Sequence, residues 1–396
     1  MFDIEDNKKL PIAELKKKLF DELKQLMGNP VVKAAYDEAI VNVQLILPNG
    51  DANQWVGKDT GYFINYFYDW FDFLPTPTGG LGKIEPFTHL YLNNRAAFYF
   101  LNDFKSNALD HGYTTEIYNW SVKFIIGRGR FMDTPSPEAT KIIDEWKALP
   151  STKVDDFLAP DKTTNFNTFN EFFTRILNPK KKPRPIAEED DDSVLTAPAD
   201  SEINFIESDL TLTTKLKVKT RQINVVDLLA GSHYAHYFEK GTAVSCVLMP
   251  NSYHRYHSPV NGRIIESAEV PGIYNGIMDG EDWFNKGNIG ESTTDFSIFE
   301  DFHRAYYVIE TTNYGYVAMI PVGLNTISSL SFYSLSPDQS TLVPKGAPPV
   351  PVSKGTELGN FAYGGSLNIL LFQPGVLSSL SVLMGQRIGS LNKPNA

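Results

Sequence analysis

The sequence predicts an α+β fold, with a mostly helical domain over residues 1–150 followed by a β-rich domain over residues 151–396. Three observations carry this. Apolar residues recur at helical spacing near the start, aromatic residues crowd the stretch after it, and short alternating apolar runs separated by turn residues take over from Ser193.

The first element is the clearest. From Pro11 to Met27 the residues Ile12, Leu15, Leu19, Phe20, Leu23 and Leu26 fall on one face of a helix, and Gly28-Asn29-Pro30 ends it. Its charged side includes Lys16-Lys17-Lys18, but the neighbourhood is acidic, so the spacing favours a helix packed on its own domain over one lying on a membrane. Residues 54–75 contain Trp55, Tyr62, Phe63, Tyr66, Phe67, Tyr68, Trp70, Phe71 and Phe73. Rings this dense build a core or line an apolar pocket. Asn93 to Asp110 reads as a further helix, with Asn93 or Asn94 as cap and Gly112 beyond its end.

Residues 165–175 read as a short capped helix. The basic, proline-rich Asn178 to Pro185 and the acidic Glu188 to Asp192 then read as a solvated connection. The strand-like runs are Ile203 to Ile206, Leu210 to Val218, Ala243 to Leu248, Gly262 to Val270, Tyr306 to Glu310, Tyr314 to Pro321 and Gly359 to Phe372.

A net charge of −11 argues against nucleic acid or an anionic membrane surface as the main partner. The acidic Met1 to Asp6 lacks the apolar core of a secretory signal, and no run approaches the roughly 20 apolar residues that span a bilayer. The lone Cys246 cannot form an internal disulfide or a cysteine-based zinc site. The expectation is a cytoplasmic protein.

Chemistry concentrates in three stretches of the β-rich part. Gly364-Gly365-Ser366 puts a hydroxyl next to a peptide bond whose glycine carbonyl has no Cβ to shield it, although a tight turn feeding a strand accounts for the same residues. Thr196 to Ser201 places Asp200 just after a proline. Leu248 to Gly262 holds His254 and His257. Serine, imidazole and carboxylate are the parts of an activated nucleophile, but Gly364 to Asn368 is not the GxSxG elbow of serine hydrolases. The pairs His233/His236 and His254/His257 offer a metal site as a competing reading, but no HExxH pattern or cysteine set supports it, and His233, His236, His89, His111 and His303 read as structural or surface residues.

Together these stretches resemble the phosphatidylserine decarboxylase family of self-processing, pyruvoyl-dependent decarboxylases. The resemblance rests on Phe169-Asn170-Glu171-Phe172-Phe173-Thr174-Arg175 with Arg184-Pro185-Ile186, on Ala197-Pro198-Ala199-Asp200, on Tyr253 to Gly262, and on Gly364-Gly365-Ser366, in family order. It implies that residues 151–396 are a pyruvoyl decarboxylase domain cleaved at Gly365-Ser366. Asp200, His257 and Ser366 would be the self-cleavage triad. His257 would take the Ser366 proton, and the serine oxygen would attack the Gly365 carbonyl. The products would be two associated chains, 1–365 and 366–396, with a pyruvoyl group made from Ser366 as the covalent cofactor. A substrate amine would form a Schiff base with it, carbon dioxide would leave, and His254 would protonate the resulting carbanion.

Two positions depart from the family pattern. The usual LGST is Gly364-Gly365-Ser366-Leu367, and the usual glycine after the aspartate is Ser201. With the long helical start and Pro321 to Ser328, these features look similar to a divergent branch that includes the fungal tryptophan decarboxylase of psilocybin biosynthesis. The expected substrate is therefore a free L-amino acid, aromatic in kind, with phosphatidylserine as the alternative and peripheral membrane association not favoured. A binding protein on the same scaffold whose Ser366 never cleaves is the reading from a different class.

Overall fold

The computed structural model describes residues 10–47, 50–79, 82–92, 94, 96–97, 116–212, 225–272, 302–324, 330–336, 339–362, 364–382 and 384–385. The expected helix after Asn93, His111, and most of the Leu210 to Val218 and Asn325 to Ser328 stretches lie outside these residues.

Helix α1 (Ile12–Met27) buries Leu15, Leu19, Phe20, Leu23 and Met27, the face its spacing predicts. Lys16 departs from the expected basic cluster. Its side chain turns inward to pair with Asp72 and to lie 3.6 Å over the Tyr68 ring. Helix α2 (Pro30–Val41) follows at once, capped by Asn29, whose side chain accepts from the Val31 amide. Helices α3 (Thr60–Phe71), α4 (Ile84–Tyr91) and α5 (Glu116–Met132) complete the bundle. The aromatic stretch fills its centre. Trp55, Phe63, Tyr66, Phe67, Trp70 and Phe71 are buried with Phe87, Trp120 and Phe124, mostly in edge-to-face contacts. Gly127 of α5 allows the close approach to α1, since a Cβ there would meet Leu19 at 3.0 Å and Phe71 at 3.1 Å.

Helix α6 (Pro137–Lys147), capped by Ser136, leads to the short α7 (Phe169–Phe173), which carries a full capping box between Thr168 and Glu171. Leu74, Met132, Ile142, Ile143 and Trp146 share one buried cluster with Ala159, Phe166, Phe169, Phe172 and Phe173. The helical part and the start of the β-rich part are thus packed as one core across residue 150.

Two short strands, β1 (Phe157–Leu158) and β2 (Ile176–Leu177), pair beside α7. Among the described residues the main sheet contains seven antiparallel strands, in the order β11 (Val350–Val352), β6 (Gly262–Val270), β7 (Arg304–Glu310), β8 (Tyr316–Leu324), β13 (Gly365–Phe372), β4 (Thr242–Leu248) and β3 (Glu202–Ser208). Beside them lie β9 (Ser334–Ser336) paired with β10 (Gln339–Ser340), and β5 (Arg255–His257) paired with β12 (Glu357–Asn360).

Both faces of the sheet are covered. One packs under the short helix α8 (Val225–Leu228) and the 3-10 helix His233–Phe238. The other packs under Tyr256, Val260, Leu330, Leu358 and Phe361. Strand β13 lies between β8 and β4, so its alternate residues are buried on both sides: Leu367, Ile369 and Leu371 towards the first face, Leu370 and Phe372 towards the second.

Candidate active site

The run Gly359 to Phe372 does not form one strand as its pattern predicts. It is divided between β12, which pairs with β5, and β13 in the main sheet. The break follows from local contacts. The Phe361 amide donates to the His254 carbonyl at 2.9 Å, and Phe361 itself, fully buried, bridges to Leu330. Gly359 has no room for a side chain, because a Cβ would fall 1.8 Å from the Ser331 carbonyl and 2.3 Å from the Tyr256 hydroxyl. The chain then turns and enters β13 at Gly365, opposite Leu324, and Ser366 follows opposite Leu248 and Gly323.

Ser366 is 1% exposed and His254 is fully buried. Their side chains meet, with His254 Nδ1 3.1 Å from Ser366 Oγ. The imidazole is neutral, since burial and then the nearby Arg175 cation push its pKa down to about 3, against a weaker pull from the Pro250 and Met249 carbonyls. A hydroxyl donating to Nδ1 leaves the proton on Nε2, which has no hydrogen-bond partner among the described residues.

The loop that presents His254 is wound tightly after β4. The Ser252 amide donates to the Met249 carbonyl at 2.8 Å, and the Ser252 hydroxyl accepts from the Met249 amide at 3.1 Å. Arg175 clamps it from outside. Its Nη2 donates to the carbonyls of Asn251 and Ser252, both at 2.7 Å, and its Nη1 to that of Phe172 at 3.1 Å. Fully buried, this guanidinium lies 4.6 Å over the Phe157 ring, and burial lowers its pKa to about 10. Phe173, at the end of α7, stacks on the His254 ring at 3.8 Å and 20°. Arg255 donates to the Thr174 carbonyl from Nε and Nη2 and pairs with Glu357.

His257 sits three residues on, at the end of β5, in a different set of contacts. Its Nδ1 donates to the Gly355 carbonyl at 2.8 Å, so in the neutral ring Nε2 accepts from the Tyr253 hydroxyl at 2.9 Å. Burial lowers its pKa, and the Gly355 carbonyl, Glu357 and Asp200 oppose that shift. Asp200 is taken up by Arg184, which donates from Nε to Oδ1 at 2.8 Å and from Nη2 to Oδ2 at 2.6 Å, while its Nη1 reaches Asp156 at 3.0 Å. The Asp200 loop is tied to the histidines through its backbone. The His257 amide donates to the Pro198 carbonyl at 2.8 Å, and the Thr196 amide to that of Pro259 at 3.0 Å.

Of the residues singled out in the sequence, the structure therefore joins Ser366 and His254 directly. Gly365 comes with them, next along the chain. Both ring nitrogens of His257 are engaged away from Ser366, and both Asp200 oxygens are held by Arg184. Arg184 is not the solvated charge that its lysine-rich surroundings predict; the fork geometry of its bond to a carboxylate is a property lysine lacks. Arg175 and Phe173 escaped as functional residues because each acts across some 80 positions of chain. Their signal was a phenylalanine closing a five-residue helix and an arginine two residues past it.

The histidine pairs do not converge. His233 lies beside Glu266 at 3.8 Å, and its neighbour His236 turns back on the His233 carbonyl. Among the described residues, no group of three or more histidine, cysteine or carboxylate side chains could hold a metal ion. Two surface hollows, one beside Ser136, Thr140 and Asn167 and one at Glu188 to Asp192, are lined by none of the candidate site residues.

Comparison with known proteins gives the arrangement a context. Phosphatidylserine decarboxylase proenzyme 2 of Oryza sativa subsp. japonica is 29% identical over 256 residues, which are 65% of this chain and 37% of that protein. Phosphatidylserine decarboxylase proenzyme 3 of Schizosaccharomyces pombe is 32% identical over 243 residues, 58% of this chain and 22% of its own length. The phosphatidylserine decarboxylase proenzyme of Clostridium botulinum is 28% identical over 256 residues, 61% of this chain and 78% of its own length. This chain thus spans well under half the length of the first two relatives and most of the third. The profile of the family described as phosphatidylserine decarboxylase matches residues 169–390, more than half of the chain, with Asp200, His254, His257, Gly365 and Ser366 among them, and the chain belongs to that family.

Proposed function

We propose that this chain is a proenzyme that cleaves itself between Gly365 and Ser366 and then decarboxylates an α-amino acid group. The observation that carries the reading is the buried hydrogen bond between His254 and Ser366, with the Gly365 peptide bond immediately upstream. A serine whose hydroxyl is held by a neutral imidazole is poised to act as a nucleophile.

In the cleavage, Ser366 Oγ passes its proton to His254 Nδ1 and bonds to the Gly365 carbonyl carbon. The Gly365–Ser366 C–N bond breaks as the nitrogen takes that proton, leaving an ester. Loss of the Ser366 α-proton with rupture of the Cβ–Oγ bond frees the Gly365 carboxylate. Water then displaces the nitrogen as ammonia, and residue 366 is left as a pyruvoyl group. The geometry near His254 offers a reading different from the Asp200, His257, Ser366 order that the resemblance implies, and the two make opposite predictions for mutants.

The residues around Ser366 fit such a group. The site is closed, His254 Nε2 has no hydrogen-bond partner among the described residues, and Phe173 covers the ring against water. A pyruvoyl group supplies a carbonyl that captures the substrate amine and draws electrons from the breaking bond to the carboxylate. His254 stays beside the reacting carbon as a proton carrier. The two products of cleavage stay together because β13 is hydrogen-bonded along its length to β8 and β4.

For the substrate, the net charge of −11 favours a free L-amino acid over an anionic lipid surface, whereas the names of the relatives favour phosphatidylserine. Intact mass of the denatured protein tests the proposal. Wild type should give chains 1–365 and 366–396, the second blocked at its N-terminus, and Ser366→Ala a single chain. Release of carbon dioxide from L-tryptophan, L-serine or phosphatidylserine vesicles then identifies the substrate. One uncut chain in both proteins overturns the mechanism.

A further inference from the structure

Asn368 is fully buried in β13, and among the described residues neither its Oδ1 nor its Nδ2 has a hydrogen-bond partner. Two unmet polar atoms on one interior side chain are rare, because each forfeits the hydrogen bonds it made to water. Strand alternation puts Asn368 on the same sheet face as Ser366, one step of about 7 Å further along. Its neighbours across the sheet are Cys246 of β4 and Pro321 of β8. Proline has no amide proton to give, and the buried Cys246 thiol, with its pKa pushed up to about 11, lies against the Ser201 hydroxyl. Ser201 follows Asp200, so the Asp200 loop passes over this side of the strand.

The same face therefore carries His254 above Ser366 and an unsatisfied amide above the next inward position. We propose that Asn368 is a specificity-determining residue whose amide hydrogen-bonds the substrate beyond its reacting carbon. The inference rests on the decarboxylase reading above. A substrate captured at position 366 that extends along β13 by one strand repeat, about 7 Å, brings its far atoms to this amide. The amide offers one donor group and one acceptor and carries no charge. It matches an uncharged hydrogen-bonding group on the substrate side chain, such as a hydroxyl or a ring N–H, and it rejects an analogue that lacks the group because its own atoms are then left unpaired.

The test is Asn368→Leu, which keeps the shape and removes both polar atoms. Three readouts separate the possibilities. Self-cleavage, followed by intact mass, should match wild type, since among the described residues the side chain makes no hydrogen bond to Ser366; absence of cleavage in wild type would instead defeat the decarboxylase reading itself. The melting midpoint should rise by roughly 2–4 °C, because an unpaired buried amide is replaced by an apolar group. Turnover of L-tryptophan relative to L-phenylalanine, and of L-serine relative to L-alanine, should favour the polar member in wild type by at least about 10-fold and lose most of that preference in the variant. If phosphatidylserine vesicles are the substrate that wild type turns over, the variant should show a raised KM with kcat little changed. A melting midpoint at or below that of wild type, a loss of cleavage, or an unchanged preference would each overturn the assignment and leave Asn368 a structural residue.

Discussion

Replacing each histidine separately decides which of them drives self-cleavage. His254 Nδ1 lies 3.1 Å from Ser366 Oγ, whereas the His257 nitrogens are taken by the Gly355 carbonyl and the Tyr253 hydroxyl. A general base contributes about 10²–10⁴-fold, so His254→Ala should slow cleavage by at least about 100-fold. His257→Ala removes two hydrogen bonds that order the loop without touching Ser366, and its cleavage should stay within about 10-fold of wild type. The pH profile gives a second handle. With a pKa of about 3, His254 is neutral in about 99% of molecules at pH 5, so the wild-type rate should be nearly flat from pH 8 to pH 5. An ordinary histidine of pKa 6.5 would be only about 3% neutral at pH 5, and the rate would fall roughly 30-fold. The assay is the fraction of 366–396 chain against time, by intact mass, in protein made as the uncut precursor. A His257→Ala protein that does not cleave, beside a His254→Ala protein that cleaves normally, would refute the reasoning and restore the Asp200, His257, Ser366 order.

Two further outcomes follow from the same geometry. The pKa of His254 is depressed on folding, so the unfolded chain binds a proton that the folded chain refuses. The stability it protects is complete above pH 6.5 and is lost as pH falls towards 3; between pH 6.5 and 5 the loss should be about 2 kcal/mol, read as the difference in urea unfolding between wild type and His254→Phe. Arg175→Met leaves the carbonyls of Phe172, Asn251 and Ser252 without their donor in the interior, and should cost about 2–4 kcal/mol in the same measurement while loosening the His254 loop enough to slow cleavage. Unchanged stability in that variant would mean that the loop holds its shape without the clamp.

Local pattern made much of the architecture legible. The 3.6-residue spacing of Leu15, Leu19, Phe20 and Leu23 marked α1, the crowded rings marked the helical core, and β4, β6, β7 and β8 fell where apolar runs met turn residues. Ser366, His254 and Asp200 stood out because a serine after two glycines, a pair of histidines and a carboxylate after a proline occur in one chain, in the order of a known family. Period and residue type are properties of neighbours in the chain, and a sequence displays them directly.

What tertiary structure decided is which partner each polar group found. His254 and His257 are three residues apart and chemically identical, yet one meets Ser366 across 112 positions and the other turns to Gly355 across 98. Asp200 could have supported an imidazole, but Arg184 holds both of its oxygens. Lys16 left its basic cluster for a half-buried pair with Asp72, and the Gly359 to Phe372 run split because the Phe361 amide donates to the His254 carbonyl. Packing decides each of these cases, since a group drawn wholly or partly out of water takes whatever complementary atom lies within its reach, and packing is not written in the spacing of neighbours.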